Sequence, residues 1–456
     1  MQRTLQNTLR ERLLNMFSHR AMPQSFRRVY GSEHELAVEF DEIGNEDKRD
    51  EYLQEIVADH TTYNGGRVYL DLKHLEACTP ETSNIPDAIR YEKAMERYCV
   101  DYLSNKYKPR IYKISRDDSV SFGAHQNYLT KLPPTAEERS SLILFSVVEK
   151  LITGAGYQHP NGSYDISQRM PFIKECLNDD TRYQRPLLNL REERLTSAHG
   201  FYRFHHISND PNMCEQALAL KTGLWDLVLT LAENNLLPDI SYDSSKAVKD
   251  ARTLCRKHSE WTLKGVQMKA TSVLQAYHDV MKAEFAGQDT NTERLLDAFG
   301  ETITLLDRIE HEPYALAGKL DWVTKKMMIE LCMGDTRLSQ ESGLIRSINL
   351  DYHRIDREGL FYQTQAQDSW IERWVTDREI DDAQVSPPLT RAWVRGKARQ
   401  LYDNSPHKKE YHLTIGWERL LMNRRQDKDV VWSCELPNPA YNYPKKIDEL
   451  EMILRA

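Results

Sequence analysis

The chain has no pair of cysteines at a C-x-x-C spacing, and its seven cysteines are odd in number and scattered from Cys78 to Cys434. That pattern excludes a disulfide framework and a cysteine-built zinc site, and leaves reduced thiols packed in a core. No uninterrupted apolar run approaches the roughly 18 residues a membrane span needs, and the first residues lack the apolar stretch of a secretory signal. A cytoplasmic protein is therefore expected. Excess positive charge is missing too: 61 Lys and Arg against 69 Asp and Glu leave a net charge of −8, which argues against nucleic acid as the main partner. Internal repeats and low-complexity tracts are lacking.

What is present is an ordinary globular composition. The 456 residues are 40% hydrophobic and 29% charged, enough to bury a large core and to divide into more than one domain. Residues 1–28 carry Arg3, Arg10, Arg12, Arg20, Arg27 and Arg28 with Glu11 as their only acid, and Leu5, Leu9, Leu13 and Met16 recur at helical spacing. This predicts a basic amphipathic extension, either packed on the body or docking a partner or a membrane surface.

From residue 29 to about 129, short alternating or β-branched segments predict an antiparallel sheet: Val29 to Phe40, Gly66 to Leu72, Pro109 to Ile114 and Ser119 to Leu129. Helical patterns follow over Asp243 to Glu284, with Val248, Ala251, Leu254 and Cys255 on one face, and over Thr292 to Cys332. Asp381 to Pro388 ends one helical pattern and reads as a linker or turn before Leu389 to Leu401, after which comes a small C-terminal unit containing Trp417 and Trp432. The predicted class is α+β, a mostly antiparallel sheet with segregated helices. Its expected parts are the extension 1–28, a main domain 29–380 and a small C-terminal domain 381–456.

Two segments carry the chemistry. In Gly31-Ser32-Glu33-His34-Glu35 the period of two puts Glu33 and Glu35 on the same face of a strand. Two like charges side by side are costly unless cations neutralise them or the face is simply exposed to water. In Arg67-Val68-Tyr69-Leu70-Asp71, Arg67, Tyr69 and Asp71 again share a face, with His74, Glu76, Thr79 and Glu81 just beyond. An arginine beside oxygen donors suits a polyphosphate held together with magnesium.

These two segments resemble the opening strands of the Pup ligases and their paralogues, the depupylases, and the resemblance runs over nearly the whole chain. Ser121 to Leu129 (SFGAHQNYL), Gly154-Ala155-Gly156, Ser167-Gln168-Arg169, Arg185 to Glu193 (RPLLNLREE) and Arg203-Phe204-His205-His206 follow in the family's order. So do Asp210, Asn212, Met213 and Glu215, then Leu320 to Val323, Leu350 to His353, Pro387-Pro388, Thr390-Arg391 and Gly416-Trp417.

The resemblance implies a glutamine-synthetase-like fold and an ATP- and magnesium-dependent carboxylate-amine ligase. Such an enzyme phosphorylates the side-chain carboxylate of a C-terminal glutamate on a Pup-like disordered tag and joins it to a substrate lysine as an isopeptide. It further implies Glu33, Tyr69 and Glu76 as magnesium ligands, Arg67, Thr79 and Trp417 as ATP contacts, and Asp71 as catalytic base. Glu35, Glu81 and His205 are further candidates for the metal shell; Arg191 and Arg203 are candidates for phosphate or substrate-carboxylate contacts. His205 also reads as a hydrogen-bonded core histidine, and Trp417 as a core aromatic. The partners are then a tag ending in Glu or Gln and a lysine-bearing protein, with the enzyme itself a monomer.

Three positions depart from the family pattern: Gln126 stands in place of a glutamate at an expected metal position, Leu75 replaces proline, and Leu190 replaces threonine. Direction is open on sequence grounds. The short stretch between Phe40 and Gly65 leaves no room for the long insertion of depupylases, while the spacing from Asp71 to Glu81 is closer to the depupylase pattern. The ligase is the preferred reading, since a missing loop is the larger difference. A small-molecule carboxylate-amine ligase and a nucleotide-binding pseudoenzyme are the alternatives.

Overall fold

In the computed structural model, residues 28–455 are described, apart from 105–106, 118–119, 194, 197, 257–260 and 335–341. The amphipathic segment expected over residues 1–28 lies outside them except for Arg28, which is buried and paired with Asp226 and Glu233 at 2.8 Å each.

The centre is a seven-stranded antiparallel sheet: β1 (Tyr30–Phe40), β2 (His60–Thr61), β3 (Arg67–Asp71), β4 (His74–Cys78), β5 (Pro109–Tyr112), β6 (Ala124–Thr130) and β7 (Tyr202–His206). The order is β7-β6-β1-β4-β3-β2, with β5 pairing the far half of β1. Along β1 burial alternates without a break. Leu36, Val38 and Phe40 face the core at 2–4% exposure, each stabilising the fold by roughly 1.5–3 kcal/mol; Glu33 and Glu35 face the other way.

The buried face packs on α1 (Ile85–Leu103) and α2 (Glu215–Glu233). Asn84 caps α1 by accepting from the Asp87 amide, the arrangement expected of an N-cap asparagine. Beneath β1 the contact is partly ionic: Glu92 of α1 accepts from Ser32 Oγ at 3.0 Å and Lys113 Nζ at 3.0 Å, and lies 3.1 Å from His34 Nε2. Further helices build the body away from the sheet, among them α3 (Ala270–Phe285), α4 (Thr290–Asp307) and α5 (Asp321–Met333). No helix among the described residues is long and apolar enough to cross a membrane.

The predicted α+β class is the one observed, with two local corrections. The helical stretch from Asp243 is broken by a short hairpin, Thr262–Leu263 with Met268–Lys269, before α3. The expected linker from Asp381 is instead the second half of α6 (Asp377–Val385), which Thr376 and Glu379 start with a reciprocal capping box. Only the Pro387-Pro388 pair ends it, by removing backbone donors. Beyond it, α7 (Arg391–Asn404), three strands β8 (Tyr411–Ile415), β9 (Arg419–Arg424) and β10 (Val430–Glu435), and α8 (Pro444–Arg455) enclose a second core of Val394, Ala398, Leu420, Met422, Trp432 and Leu450. All seven cysteines are free.

Candidate active site

Strand register brings the polar residues into rungs across the open face of the sheet. Arg67, Cys78, Glu33 and His125 are successive partners across β3, β4, β1 and β6. The next rung holds Tyr69, Glu76 and Glu35, and the one beyond it Asp71 and His74 at the end of the β3–β4 hairpin. In the opposite direction lie Gly31, Asn127 and His205. Neighbouring rungs are about 7 Å apart, two strand residues. The face thus carries three buried or half-buried glutamates in two adjacent rungs.

Glu33 is the most heavily contacted. Its Oε1 accepts from Asn127 Nδ2 at 2.9 Å and Arg203 Nη2 at 2.6 Å, and its Oε2 lies 3.6 Å from both His125 Nδ1 and His205 Nε2. Burial works to raise this carboxyl, but Arg203 and the two histidines outweigh it and hold it well below the usual carboxylate range. Glu35 accepts from the Gly123 amide at 2.9 Å and lies 3.0 Å from His74 Nδ1. A side chain at position 123 would collide, since a Cβ there would sit 2.6 Å from the His125 ring and 2.9 Å from Glu35 Oε1; only glycine permits this approach. Glu76 has no cation of its own and is pushed up to about 8, first by burial and then by the charges of Glu33, Glu35 and Asp71.

Donor atoms of Glu33, His125 and His205 all fall within 4.8 Å of one another. His205 Nε2 is buried and makes no hydrogen bond. A free buried donor atom and a crowded row of carboxylates are what a divalent cation would relieve, so the residues present fit one.

Beside the Gly31–Glu33 end opens a cavity lined by Gly31, Glu33, Thr79, Asn127, Arg203 and Trp417, among others. Thr79 Oγ1 accepts from the Ser32 amide at 2.9 Å. Trp417 sits in the β8–β9 turn of the C-terminal unit, so the cavity has one wall from each core. Arg67 stands between: its guanidinium pairs with Asp59 at 2.6 Å and lies 5.9 Å from the Trp417 ring.

The structure therefore gathers Glu33, Glu35, Tyr69, Glu76, Asp71, His205 and Arg203 on one face, and Thr79, Arg67 and Trp417 at its cavity end. Other expectations change. Glu81, a candidate metal ligand by sequence, has its oxygens occupied by Arg391 and Arg395. Arg191 is exposed and paired with Glu193 at 2.6 Å, and its charge reaches His205 on the open face. Arg203, a candidate phosphate contact, spends its three nitrogens on Glu33, Asn127 and Glu193.

Gln126 points away from the carboxylates altogether, into the core, where it donates to Thr222 Oγ1 at 3.0 Å. Leu75 likewise faces the core opposite Leu36, so neither departure touches the open face. The residues missed by sequence reasoning are His125 and Asn127, while His74 is singled out by sequence beside Asp71 without a role. Strict alternation along β6 would have found the first two, since residues flanking a core-facing Gln126 must face the site.

The family model described as Pup-ligase protein matches residues 6–421 of this chain. A curated Pup–protein ligase of Acidimicrobium ferrooxidans is 30% identical over 462 residues, covering 94% of this chain and 99% of that one. One from Corynebacterium glutamicum strain R is 30% identical over 427 residues, with 85% and 86% covered. Among solved structures, the ligase PafA in complex with the prokaryotic ubiquitin-like protein Pup superposes with a TM-score of 0.79 at 25% identity, covering 94% of this chain and 92% of that one. The Pup ligase PafA in complex with ADP gives 0.75 at 25% identity, with 91% and 95% covered.

Proposed function

From the premise that this chain belongs to the Pup ligase family, we propose that it uses ATP and magnesium to phosphorylate the γ-carboxylate of a glutamate ending a Pup-like tag, and then joins that carbonyl to a protein lysine. The observation that carries this reading is the row of Glu33, Glu35 and Glu76 between the cavity and Asp71.

The nucleotide base takes the cavity beside Trp417 and Thr79, where an aromatic face and a hydroxyl are available. Its phosphates run along the sheet past Arg67, whose charge favours them. Glu33, Tyr69 and Glu76, with Glu35 and His205, would hold magnesium, which supplies charge neutralisation on the polyphosphate and makes the γ-phosphate a better electrophile. Tyr69 serves with its neutral hydroxyl, because burial beside Cys78 and Glu76 pushes its ionisation far up. Arg203 keeps Glu33 ionised and oriented.

The tag carboxylate oxygen attacks the γ-phosphorus, ADP leaves, and an acyl phosphate forms on the tag. Asp71, two rungs from the cavity and exposed, takes a proton from the incoming ammonium. The lysine nitrogen then attacks the acyl carbon, and phosphate departs with the electron pair of the broken C–O bond. Positioning supplies most of the acceleration.

The test is to incubate the protein with ATP, magnesium and either a free Glu-ended tag plus a lysine-bearing target, or a preformed conjugate. Conjugate accumulating in step with ADP is the expected result. ATP turnover indifferent to the tag, or cleavage of the conjugate without formation, overturns the ligase assignment.

A further inference from the structure

Glu81 follows β4 at the cavity end of the sheet, and three donors from one helix converge on it. Arg391 Nε donates to Oε1 at 2.6 Å, Arg395 Nη1 donates to the same oxygen at 3.0 Å, and Arg395 Nη2 donates to Oε2. The arginine side chains are 3% and 2% exposed. The Glu81 backbone is held as well, its carbonyl accepting from Thr390 Oγ1 at 2.7 Å.

Each guanidinium goes on to grip something else. Arg395 donates through Nη2 to the Gly65 carbonyl at 2.8 Å and through Nη1 to the Trp417 carbonyl at 3.4 Å, and its planar face lies 4.8 Å from the Trp417 ring centroid. Gly65 itself, with φ of +85° and no room for a side chain against the Ala392 carbonyl, brings the sheet's loop directly onto α7. Arg391 donates to the Leu195 carbonyl at 2.6 Å. Glu81, Arg391, Leu195 and Trp417 all line the same cavity. One carboxylate on the sheet therefore fastens the helix that belongs to the second core, and through Arg395 the ring that closes the cavity.

We propose that Glu81 is a positioning residue for the nucleotide: by clamping Arg391 and Arg395 it docks the C-terminal unit on the sheet and sets the Trp417 wall of the cavity, and it does not serve as a metal ligand. This rests on the reading that nucleotide occupies that cavity. The clamp works at every pH the enzyme meets. Burial alone would raise the Glu81 carboxyl, but the two arginines bring it down to about 2.

The experiment compares wild type, Glu81→Gln and Arg395→Lys by calorimetric titration with ADP and by steady-state kinetics with saturating tag and target. Glu81→Gln keeps one acceptor and loses the charge; Arg395→Lys keeps the charge and loses the fork and the planar face. Both are expected to weaken ADP binding and raise KM for ATP roughly tenfold or more, the scale of removing a partner from a buried charge pair. kcat at saturating ATP should change far less, and the magnesium concentration for half-activation should stay put.

A collapse of kcat in Glu81→Gln with a raised magnesium requirement and intact ADP affinity would mark a metal ligand and overturn the proposal. If wild type itself takes up no ADP, the nucleotide assignment of the cavity fails and this inference with it. If wild type binds ADP and both variants bind it equally, the positioning role alone fails. Arg395→Lys keeps the question answerable should Glu81→Gln not fold.

Discussion

Glu35 and Glu76 stand directly opposite each other across the β1–β4 ladder, two carboxylates where like charges destabilise a sheet. The structure resolves the conflict unequally. Burial would raise Glu35, but His74, His125 and the Gly123 amide bring it down to about 2. Glu76, although it accepts a hydrogen bond from Tyr69, goes up to about 8 through burial and the charges of Glu33, Glu35 and Asp71. Without a cation, Glu76 is thus mostly protonated at neutral pH.

Magnesium binding must displace that proton, because a ligand carboxylate coordinates in its ionised form. Below pH 8 the proton competes, so apparent magnesium affinity should rise up to roughly tenfold per pH unit toward 8 and then level off. Calorimetry at pH 7 in two buffers of different ionisation enthalpy measures the released proton. Glu76→Gln should abolish both the release and the pH dependence. No proton released by the wild type would remove Glu76 from the metal shell.

Gln126 leads to an expectation opposite to the one its motif suggests. The side chain is 3% exposed and bonded to Thr222 and Tyr128 beneath the sheet. Gln126→Glu places a carboxylate in the core among neutral partners, Thr222 and Tyr128, and should cost on the order of 2 kcal/mol of stability. Magnesium dependence should not move. Denaturant unfolding and a magnesium titration check the two halves, and tighter magnesium binding in the variant would return Gln126 to the site.

Much of the site was legible because it lies on strands. The period of two placed Glu33 with Glu35, and Tyr69 with Asp71, before any fold was known. The same rule, carried along Ala124 to Thr130, would have turned Gln126 inward and promoted His125 and Asn127; trusting the motif over the alternation caused that miss. Register was not legible. That Glu35 meets Glu76 rather than Cys78 is set by how β1 slides on β4, which no local pattern encodes. The partners of Glu81 lie more than 300 positions away in sequence, so its acidic character read as a metal ligand when its environment makes it a clamp. The capping box at Thr376 was a visible helix start, overlooked because Pro387-Pro388 drew the boundary too early.

Lys325 offers a test of the body of the fold. It is fully buried on α5, with Nζ donating to the Gly156 carbonyl at 2.7 Å. Burial, opposed in part by Asp321 and Asp210, brings it down to about 7. The folded value lies below that of the unfolded chain, about 10.5. As pH falls from there to 7, the unfolded chain takes up a proton that the folded one refuses, and stability is lost across that window. Lys325→Met leaves the Gly156 carbonyl bonded to Gln168, and the two aspartates keep neutral donors in Asn212, Tyr352 and Ser167. The variant should be more stable than wild type at pH 7 by on the order of 1–4 kcal/mol, with the gap closing toward pH 10. Parallel stability curves for the two proteins would show that Lys325 carries no such penalty.

Asp71 closes β3 at the hairpin, opposite His74, on the same face as Tyr69 and away from the cavity lining. Its neighbour Leu72 adopts φ of +56° and is 71% exposed, a left-handed turn that a leucine does not favour but that lets β3 reverse within two residues. The strand end is thereby fixed, and the carboxylate stands in solvent where a lysine on another protein can reach it. Asp71→Asn keeps that shape and removes the proton acceptor. ADP affinity should stay within about twofold of wild type, since the residue does not line the cavity, while isopeptide formation should fall by roughly 10²- to 10⁴-fold, the usual contribution of a general base. The loss should also shrink as pH rises, because a lysine already deprotonated in water needs no base. Hydroxylamine, an amine uncharged at neutral pH, gives a second readout: with ATP and the tag it should trap the acyl phosphate about equally in both proteins, because the step Asp71 serves is bypassed. If Asp71→Asn loses hydroxamate formation in proportion to isopeptide formation, Asp71 acts before the acyl phosphate and the base assignment is wrong.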